Sequence, residues 1–226
     1  MIIAIDGPSG VGKSTVGKTL ASRLRVPYLD TGAMYRAVGL AVKREGVRLP
    51  IEDADVPRAS AVAEGAEVEV IGSPAEARTL LNGEDVSQEI RLPEISRYAS
   101  AVSALAPVRR RLAAMQRQLA LAGGGVLEGR DIGTKVVPET RHKFFLSARP
   151  EVRADRRFRE LQAKGTPQPL DEVLRELNAR DHADSTRAES PLVCDETYVP
   201  VDTSALTIDE VVEVILQRIE TTERSG

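Results

Sequence analysis

Four residues near the start of the chain set the chemistry to look for. Gly7, Gly12, Lys13 and Ser14 stand in the spacing G-x-x-x-x-G-K-[ST] inside Gly7-Pro8-Ser9-Gly10-Val11-Gly12-Lys13-Ser14-Thr15. A loop that wraps a phosphate must turn its N–H groups inward, so side chains are excluded and glycine supplies the unusual backbone angles. A helix that follows adds its free N-terminal N–H groups and the positive end of its dipole. Lys13 is then placed to reach the β- and γ-phosphates, and the Ser14 hydroxyl to ligate Mg²⁺. The loop predicts a nucleoside-triphosphate site.

Other chemistry-bearing residues follow short apolar runs. Asp30-Thr31-Gly32-Ala33-Met34-Tyr35-Arg36 follows one, and Glu128-Gly129-Arg130-Asp131 another. A lone arginine is most often a solvated surface group. Arg36 and Arg130, both at strand-end corners, instead suggest a second anion beside the triphosphate. Arg149, Arg153, Arg156, Arg157 and Arg159 crowd one segment. Phosphoryl transfer needs cations spread over the transferring group and exclusion of water, and a hinged arginine-rich lid meets both needs. Arg180, Asp181, Asp184 and Arg187 form a further mixed-charge cluster.

The elements that must position these residues are legible from periodicity. Met1–Ile5, Val26–Leu29, Val126–Glu128, His142–Leu146 and Tyr198–Val201 read as short buried strands. Helical spacing appears over residues 14–24, 33–44, 109–122, 150–164, 170–179 and 207–219, with an Ala-rich helix after Pro50 and a helical stretch from 88 broken near Pro93 and Pro107. Thr207…Glu210 reads as a capping box, and Thr221 to Gly226 as a fraying tail. Glu67–Ile71 alternates polar and apolar, Gly72-Ser73-Pro74 is a turn, Arg78–Leu81 is a partner strand and Asn82-Gly83 a hairpin turn. Strands alternating with helices predict an α/β fold: a P-loop doubly wound five-stranded parallel sheet with helices on both faces and a small antiparallel β insert. Active residues then belong at the strand C-terminal ends.

Composition narrows the classes. The chain has 226 residues and a net charge of −3, which disfavours a generally basic binder of nucleic acid polymers. Its single cysteine, Cys194, permits no internal disulfide, fits a reducing cytoplasm and lacks a neighbouring histidine to activate it. No apolar run approaches the roughly 20 residues of a membrane span, and no basic region precedes the first strand as in a secretory signal. An N-K-x-D guanine-reading motif is missing, and Val126-Leu127-Glu128 matches the acid-ended strand of large ATPases only loosely. A non-catalytic nucleotide-binding switch would not need a second cationic site. These residues describe a small kinase acting on a phosphorylated acceptor.

Over nearly its whole length the sequence resembles bacterial cytidylate kinases. The resemblance rests on Ile5-Asp6-Gly7-Pro8-Ser9-Gly10 through Thr15; Leu29-Asp30-Thr31-Gly32-Ala33-Met34-Tyr35-Arg36; Asn82 to Ser87 with Glu89-Ile90-Arg91; Gly129-Arg130-Asp131-Ile132-Gly133-Thr134; and Arg180-Asp181 through Asp184 to Arg187. It implies transfer of the ATP γ-phosphoryl to CMP or dCMP with Mg²⁺, in one domain over 1–226. The acceptor-binding region would be 31–124, including the 65–87 insert, and the lid 149–165. It implies Gly7 to Thr15, Arg156 and Arg157 for ATP, Ser14 for the metal, and Lys13, Arg130 and Arg180 as catalytic. Arg36 and Arg130 resemble acceptor-phosphate ligands, and Ser100, Arg109 and Asp131 readers of cytosine. Arg180, Asp184 and Arg187 resemble the sugar and phosphate group, and Thr31 and Tyr35 complete the CMP set. A carboxylate accepts from cytosine N4 and an arginine donates to N3 and O2. A cytoplasmic monomer without membrane or nucleic acid partners is expected. A kinase for UMP or another nucleotide, or an ATP-binding switch, is the alternative. Glu128 stands where relatives often carry Asp, and Ser185-Thr186 replaces a more basic stretch.

Overall fold

The computed structural model describes residues 1–73 and 76–224. In chain order the regular elements begin β1 (Ile2–Asp6), α1 (Lys13–Leu24), β2 (Tyr28–Asp30), α2 (Thr31–Arg44) and α3 (Val56–Gly65). There follow β3 (Val68–Ile71), β4 (Arg78–Leu81), β5 (Glu84–Asp85), α4 (Pro93–Ser103), α5 (Ala106–Gly123) and β6 (Gly125–Gly129). The last are β7 (His142–Ser147), α6 (Pro150–Ala163), α7 (Leu170–Thr186), β8 (Val199–Asp202) and α8 (Ile208–Arg224). A π-helical turn, Ile132–Val136, lies after β6. The chain divides into two compact units, Met1–Val26 with Gly125–Gly226, and Pro27–Gly124.

The parallel sheet has the strand order β2-β6-β1-β7-β8. β1 pairs in parallel with β6 and with β7, Ile5 standing opposite both Glu128 and Phe144, and β7 pairs with β8. Successive strand residues face opposite sides of a sheet, and Ile3, Ala4 and Ile5 are all fully buried, so both faces of β1 are covered. α1 packs on β1 and β6 through Val16 and Leu20, and α8 packs on α1 and β7 through Val212, Ile215 and Ile219. The capping box forms as its residue types require: Thr207 N–H donates to Glu210 Oε2 at 2.8 Å and Glu210 N–H to Thr207 Oγ1 at 3.3 Å.

Two boundaries and one extra element of this unit differ from the sequence expectation. α8 continues through Thr221 to Arg224 instead of fraying, and its last turn is tied to β7 where Glu223 Oε1 meets His142 Nε2 at 2.8 Å. Ser225 and Gly226 lie outside the described residues. α7 runs to Thr186, well past Ala179. Its last two turns carry no apolar stripe, and buried ion pairs of Asp184 take the place of that stripe. The π-helical turn has no signature in hydrophobic spacing.

The second unit is built on α2 against α4. Met34, Ala37, Val38, Leu40 and Val42 pack with Ile95, Val102, Val108 and Leu112. The two helices approach so closely that a Cβ on Gly39 would stand 2.8 Å from Ala99 N. Pro93 and Pro107 each fall in the first turn of a helix, where a missing N–H costs nothing, so the two breaks become the starts of α4 and α5. The insert is a three-stranded antiparallel sheet, β3-β4-β5. Asn82 and Gly83, with φ of 50° and 81°, join β4 to the short exposed β5, a strand that hydrophobic alternation could not reveal. Pro74 and Ala75, in the turn from Gly72 to Glu76, lie outside the described residues.

Candidate active site

In the first unit the site begins where β1 stops. The chain turns at Gly7, where φ is 147° and a Cβ would stand 2.1 Å from the Leu146 carbonyl oxygen on β7. Gly10, with φ of 80°, is constrained less severely, its Cβ standing 3.1 Å from Arg153 Cβ. These close approaches are the physical reason for glycine here. Gly12 caps α1 with φ of 95°, and Lys13 opens the helix.

Lys13 is buried and folds over its own loop, donating to the carbonyls of Gly7 at 2.8 Å and Pro8 at 2.6 Å. Burial pushes its pKa well below the ordinary lysine value, and the nearby Arg130 and Arg180 push it further, against the pull of Glu128 and Asp6. At Lys13 itself two neighbouring cations oppose the charge and Glu128 and Asp6 only partly offset them, so an anion entering there would relieve the repulsion.

Arg130, one residue past β6, is held on two sides. Its Nε donates to Asp184 Oδ2 at 2.8 Å, and its Nη2 to Ser9 Oγ at 2.8 Å. Burial works against its charge, but Asp184, Asp181 and Glu128 outweigh burial and hold its pKa above the usual arginine value. Asp184 also accepts from Arg187 Nη1 at 3.3 Å. Arg180 and Asp184, four apart, share one face of α7, and Arg187 is the extended residue just past its end. Burial raises the Asp184 pKa, yet Arg130, Arg180 and Arg187 together hold it below the ordinary carboxylate value. Ser185 and Thr186 are exposed and donate to the His182 carbonyl, so they finish the helix and add nothing to the cluster.

The arginine-rich segment is not uniform. Arg153 is buried and anchors α6 to the loop, donating to Ser9 O at 3.2 Å and Ala148 O at 3.1 Å and pairing with Asp181. Asp181 in turn accepts from Ser9 N–H at 3.3 Å. Arg156 donates to Thr203 Oγ1 at 3.0 Å and Thr203 O at 2.6 Å. Arg157 pairs with Glu160 and Arg159 with Asp155 along the helix itself. α6 and α7 share a small core of their own, Ala154, Leu161, Val173 and Leu177 with Leu174 against it.

Ser14 is exposed in the first turn of α1, and Glu128 is a buried carboxylate whose charge is felt at Lys13. Among the described residues there is no group of three metal-binding side chains. A hydroxyl, a carboxylate and phosphate oxygens are the donor set Mg²⁺ takes while keeping several waters, so these residues fit it.

The second unit carries its own polar group. Asp30 caps α2, accepting from Ala33 N–H at 2.8 Å, and pairs with Arg36 Nη2 at 2.8 Å. Burial would raise the Asp30 pKa, but Arg36, the cap N–H and Arg91 hold it below the ordinary value. Arg36 Nε is buried without a hydrogen-bond partner, a donor left over after the ion pair is made. Thr31, next to Asp30 in sequence, is buried. Arg109 of α5 lies with its guanidinium carbon 5.3 Å from the Tyr35 ring centre and donates from Nε to Ser103 O at 3.0 Å. Ser103 Oγ donates to the main-chain carbonyl of Ser100, one turn earlier in α4, at 2.8 Å.

Several participants carry no role in the sequence reading. Asp30 has a local signal, an acid just before a helical run. Asp6, Ser103, Arg91 and Tyr198 have none that spacing alone supplies. Arg153 is an anchor of the loop rather than a free cation.

A glycine loop between the first strand and first helix of a parallel sheet, with a lysine and arginines closing on it, defines a phosphate-loop nucleotide-binding protein. Within that class the chain belongs to the cytidylate kinase family, whose model matches residues 3–221. It is 48% identical over 217 residues to the cytidylate kinase of Syntrophotalea carbinolica, covering 96% of this chain and 91% of that one. It is likewise 48% identical over 217 residues to the cytidylate kinase of Caldanaerobacter subterraneus subsp. tengcongensis, covering 96% and 93%. Among solved structures, an uncharacterized protein from Eubacterium ventriosum is similar in fold, with a TM-score of 0.51, 13% identity and 98% of each chain covered. No helix among the described residues is long and apolar enough to cross a membrane.

Proposed function

We propose that this chain transfers the γ-phosphoryl group of ATP to CMP or dCMP, giving ADP and CDP or dCDP. The observation that carries this reading is the convergence of Lys13, Arg130 and Arg180 beside the glycine loop, where burial and mutual repulsion depress the lysine pKa. Gly7 to Thr15, with Arg156 and Arg157, take the ATP phosphates. When ATP binds, Lys13 exchanges the Gly7 and Pro8 carbonyls for phosphate oxygens, and its ammonium regains a counter-charge. Ser14 and Glu128 are the groups that would hold Mg²⁺, which when bound neutralises charge on the β- and γ-phosphates.

Arg36 and Arg130 hold the acceptor phosphate, and Arg180, Asp184 and Arg187 the acceptor sugar and phosphate. Thr31 and Tyr35 line the acceptor, and Ser100, Arg109 and Asp131 read cytosine. The attacking atom is a phosphate oxygen, whose second proton leaves with a pKa of about 6, so no base is needed at neutral pH. The protein's work is positioning and charge stabilisation: Lys13, Arg130 and Arg180 spread over the transferring group. Residues 31–124 serve the acceptor, and 149–165 form a lid that excludes water. The enzyme acts as a cytoplasmic monomer, a setting that suits its one exposed, unpaired cysteine.

The test is a coupled ADP-release assay with Mg²⁺ and ATP across CMP, dCMP, UMP, AMP and dTMP. Turnover of CMP and dCMP well above the others is expected. Equal turnover of UMP, or ATP binding without transfer to any monophosphate, would overturn the reading.

A further inference from the structure

Asp6 is the last residue of β1, fully buried, and the mechanism above gives it nothing to do. A carboxylate in that position demands an explanation, because burying it is costly unless its oxygens are well supplied with donors. The donors are present. Asp6 Oδ1 accepts from Ile132 N–H at 3.0 Å. Asp6 Oδ2 accepts from Gly133 N–H at 2.9 Å and from the Tyr198 hydroxyl at 2.6 Å.

These partners have one thing in common. Ile132 and Gly133 begin the π-helical turn that directly follows Arg130 and Asp131. On the other side of those two residues, Gly129 stands opposite Asp6 in the β1–β6 register. One residue therefore brackets Arg130-Asp131 from both ends, through its strand pairing before them and through its side chain after them. The next residue along the chain, Gly7, opens the phosphate loop. Tyr198 completes the arrangement. It is nearly buried, meets Phe145 edge to face with ring centres 5.9 Å apart, and its hydroxyl would stand 2.7 Å from a Cβ on Gly133, so that position must be glycine for the clasp to close.

We infer that Asp6, clasped by Tyr198, is a positioning residue for the proposed reaction: it sets where Arg130 and Asp131 stand relative to the phosphate loop. This rests on the assignment of Arg130 to the acceptor phosphate and Asp131 to the base. A residue that only filled the core would serve equally well as the neutral amide of nearly the same shape. Asparagine cannot accept from all three donors, because one of its two polar atoms is itself a donor. Loosening the clasp lets the Arg130-Asp131 segment shift, and a displacement of about 1 Å in a positioning element costs on the order of a hundredfold in rate.

The experiment compares wild type, Asp6→Asn and Tyr198→Phe. In Asp6→Asn, kcat/KM for CMP is expected to fall by about tenfold to a hundredfold, with the CMP/UMP ratio falling too, while the Kd for ATP stays within about twofold. Tyr198→Phe, which keeps the ring and loses one donor, shifts the same quantities in the same direction by less. A second readout is independent of substrate: amide hydrogen exchange over residues 130–136 speeds up in Tyr198→Phe while exchange in α1 and α8 does not. Folded variants with the wild-type CMP/UMP ratio and wild-type exchange over 130–136 would overturn the inference. Should Asp6→Asn fail to fold, Tyr198→Phe decides alone by the same two measures. A wild-type protein inactive on CMP would overturn the proposed activity instead, and the exchange arm would still decide whether the clasp holds the segment.

Discussion

Arg130 donates from Nη2 to Ser9 Oγ at 2.8 Å, so the residue proposed to hold the acceptor phosphate is hydrogen-bonded to the loop proposed to hold the donor. Ser9 is shared further, its carbonyl accepting from Arg153 and its N–H directed at Asp181. Three separate stretches of the first unit thus meet on one serine. A ligand phosphate entering the loop competes with these contacts, so nucleotide binding and the placement of Arg130, Arg153 and Asp181 are linked.

Lys13→Ala is expected to lower kcat by about a hundredfold to a thousandfold, because the ammonium contacts charge that develops during transfer. Its thermal stability without nucleotide measures the balance between relief of repulsion from Arg130 and Arg180 and loss of the hydrogen bonds to the Gly7 and Pro8 carbonyls. Paired ADP-release and thermal melts check both. A Lys13→Ala protein that retains robust turnover contradicts the catalytic assignment.

Asp131→Ala is expected to collapse the CMP/UMP ratio. Uracil presents O4 where cytosine has the N4 donor, and N3–H where cytosine has a lone pair. A carboxylate at Asp131 then faces an acceptor, and Arg109 meets a donor. A site that leaves polar groups unpaired discriminates by about a thousandfold or more. If Asp131 only orients Arg130 or serves the metal, both substrates slow together and the ratio holds.

Residues 149–165 are expected to gain protection from hydrogen exchange only when an ATP analogue and CMP are bound together. The motive is the crowd of arginines on a helical hairpin whose contacts to Ser9 are the ones a phosphate would disturb. Equal protection with one ligand, or with none, argues that α6 does not close.

Acid should act on the Arg130–Asp184 pair with a definite sign. The folded-state pKa of Asp184 is depressed, so its contribution to stability is complete above the unfolded carboxylate value of about 3.9 and is lost as pH falls through the folded value. Asp184→Asn lacks that contribution. Urea midpoints of wild type and variant should therefore keep their gap from pH 7 to about pH 4 and close it only below that, as pH falls on towards about 2. Parallel curves would show that the pair does not stabilise the fold.

What the sequence makes legible follows from which forces leave a periodic trace. β1, α1 and the glycine loop are read in place because hydrophobic runs and a phosphate cradle each constrain residue type at fixed spacing. The meeting of Tyr35 with Arg109, and of Arg36 with Asp30, depends on tertiary packing and is reached in the sequence only through family resemblance. The last turns of α7 escape detection because their buried face is ionic, with Asp184 where a leucine would have given the signal. β5 escapes because both its residues are exposed and a two-residue strand cannot alternate visibly. Asp6 appears in the quoted motif, yet its partners lie 126 to 192 positions away, beyond any local pattern.

The private core of α6 and α7 has a consequence for how this chain can vary over time. Ala154, Leu161, Val173, Leu177 and Leu174 hold the two helices to each other without borrowing side chains from the sheet. A hairpin assembled in this way is a cassette. Its turn can be lengthened, shortened or recharged by mutations that leave the interior of the sheet unaltered. Selection can then resize or recharge that turn alone, as long as Arg153, Asp181 and Asp184 keep their contacts with Ser9 and Arg130.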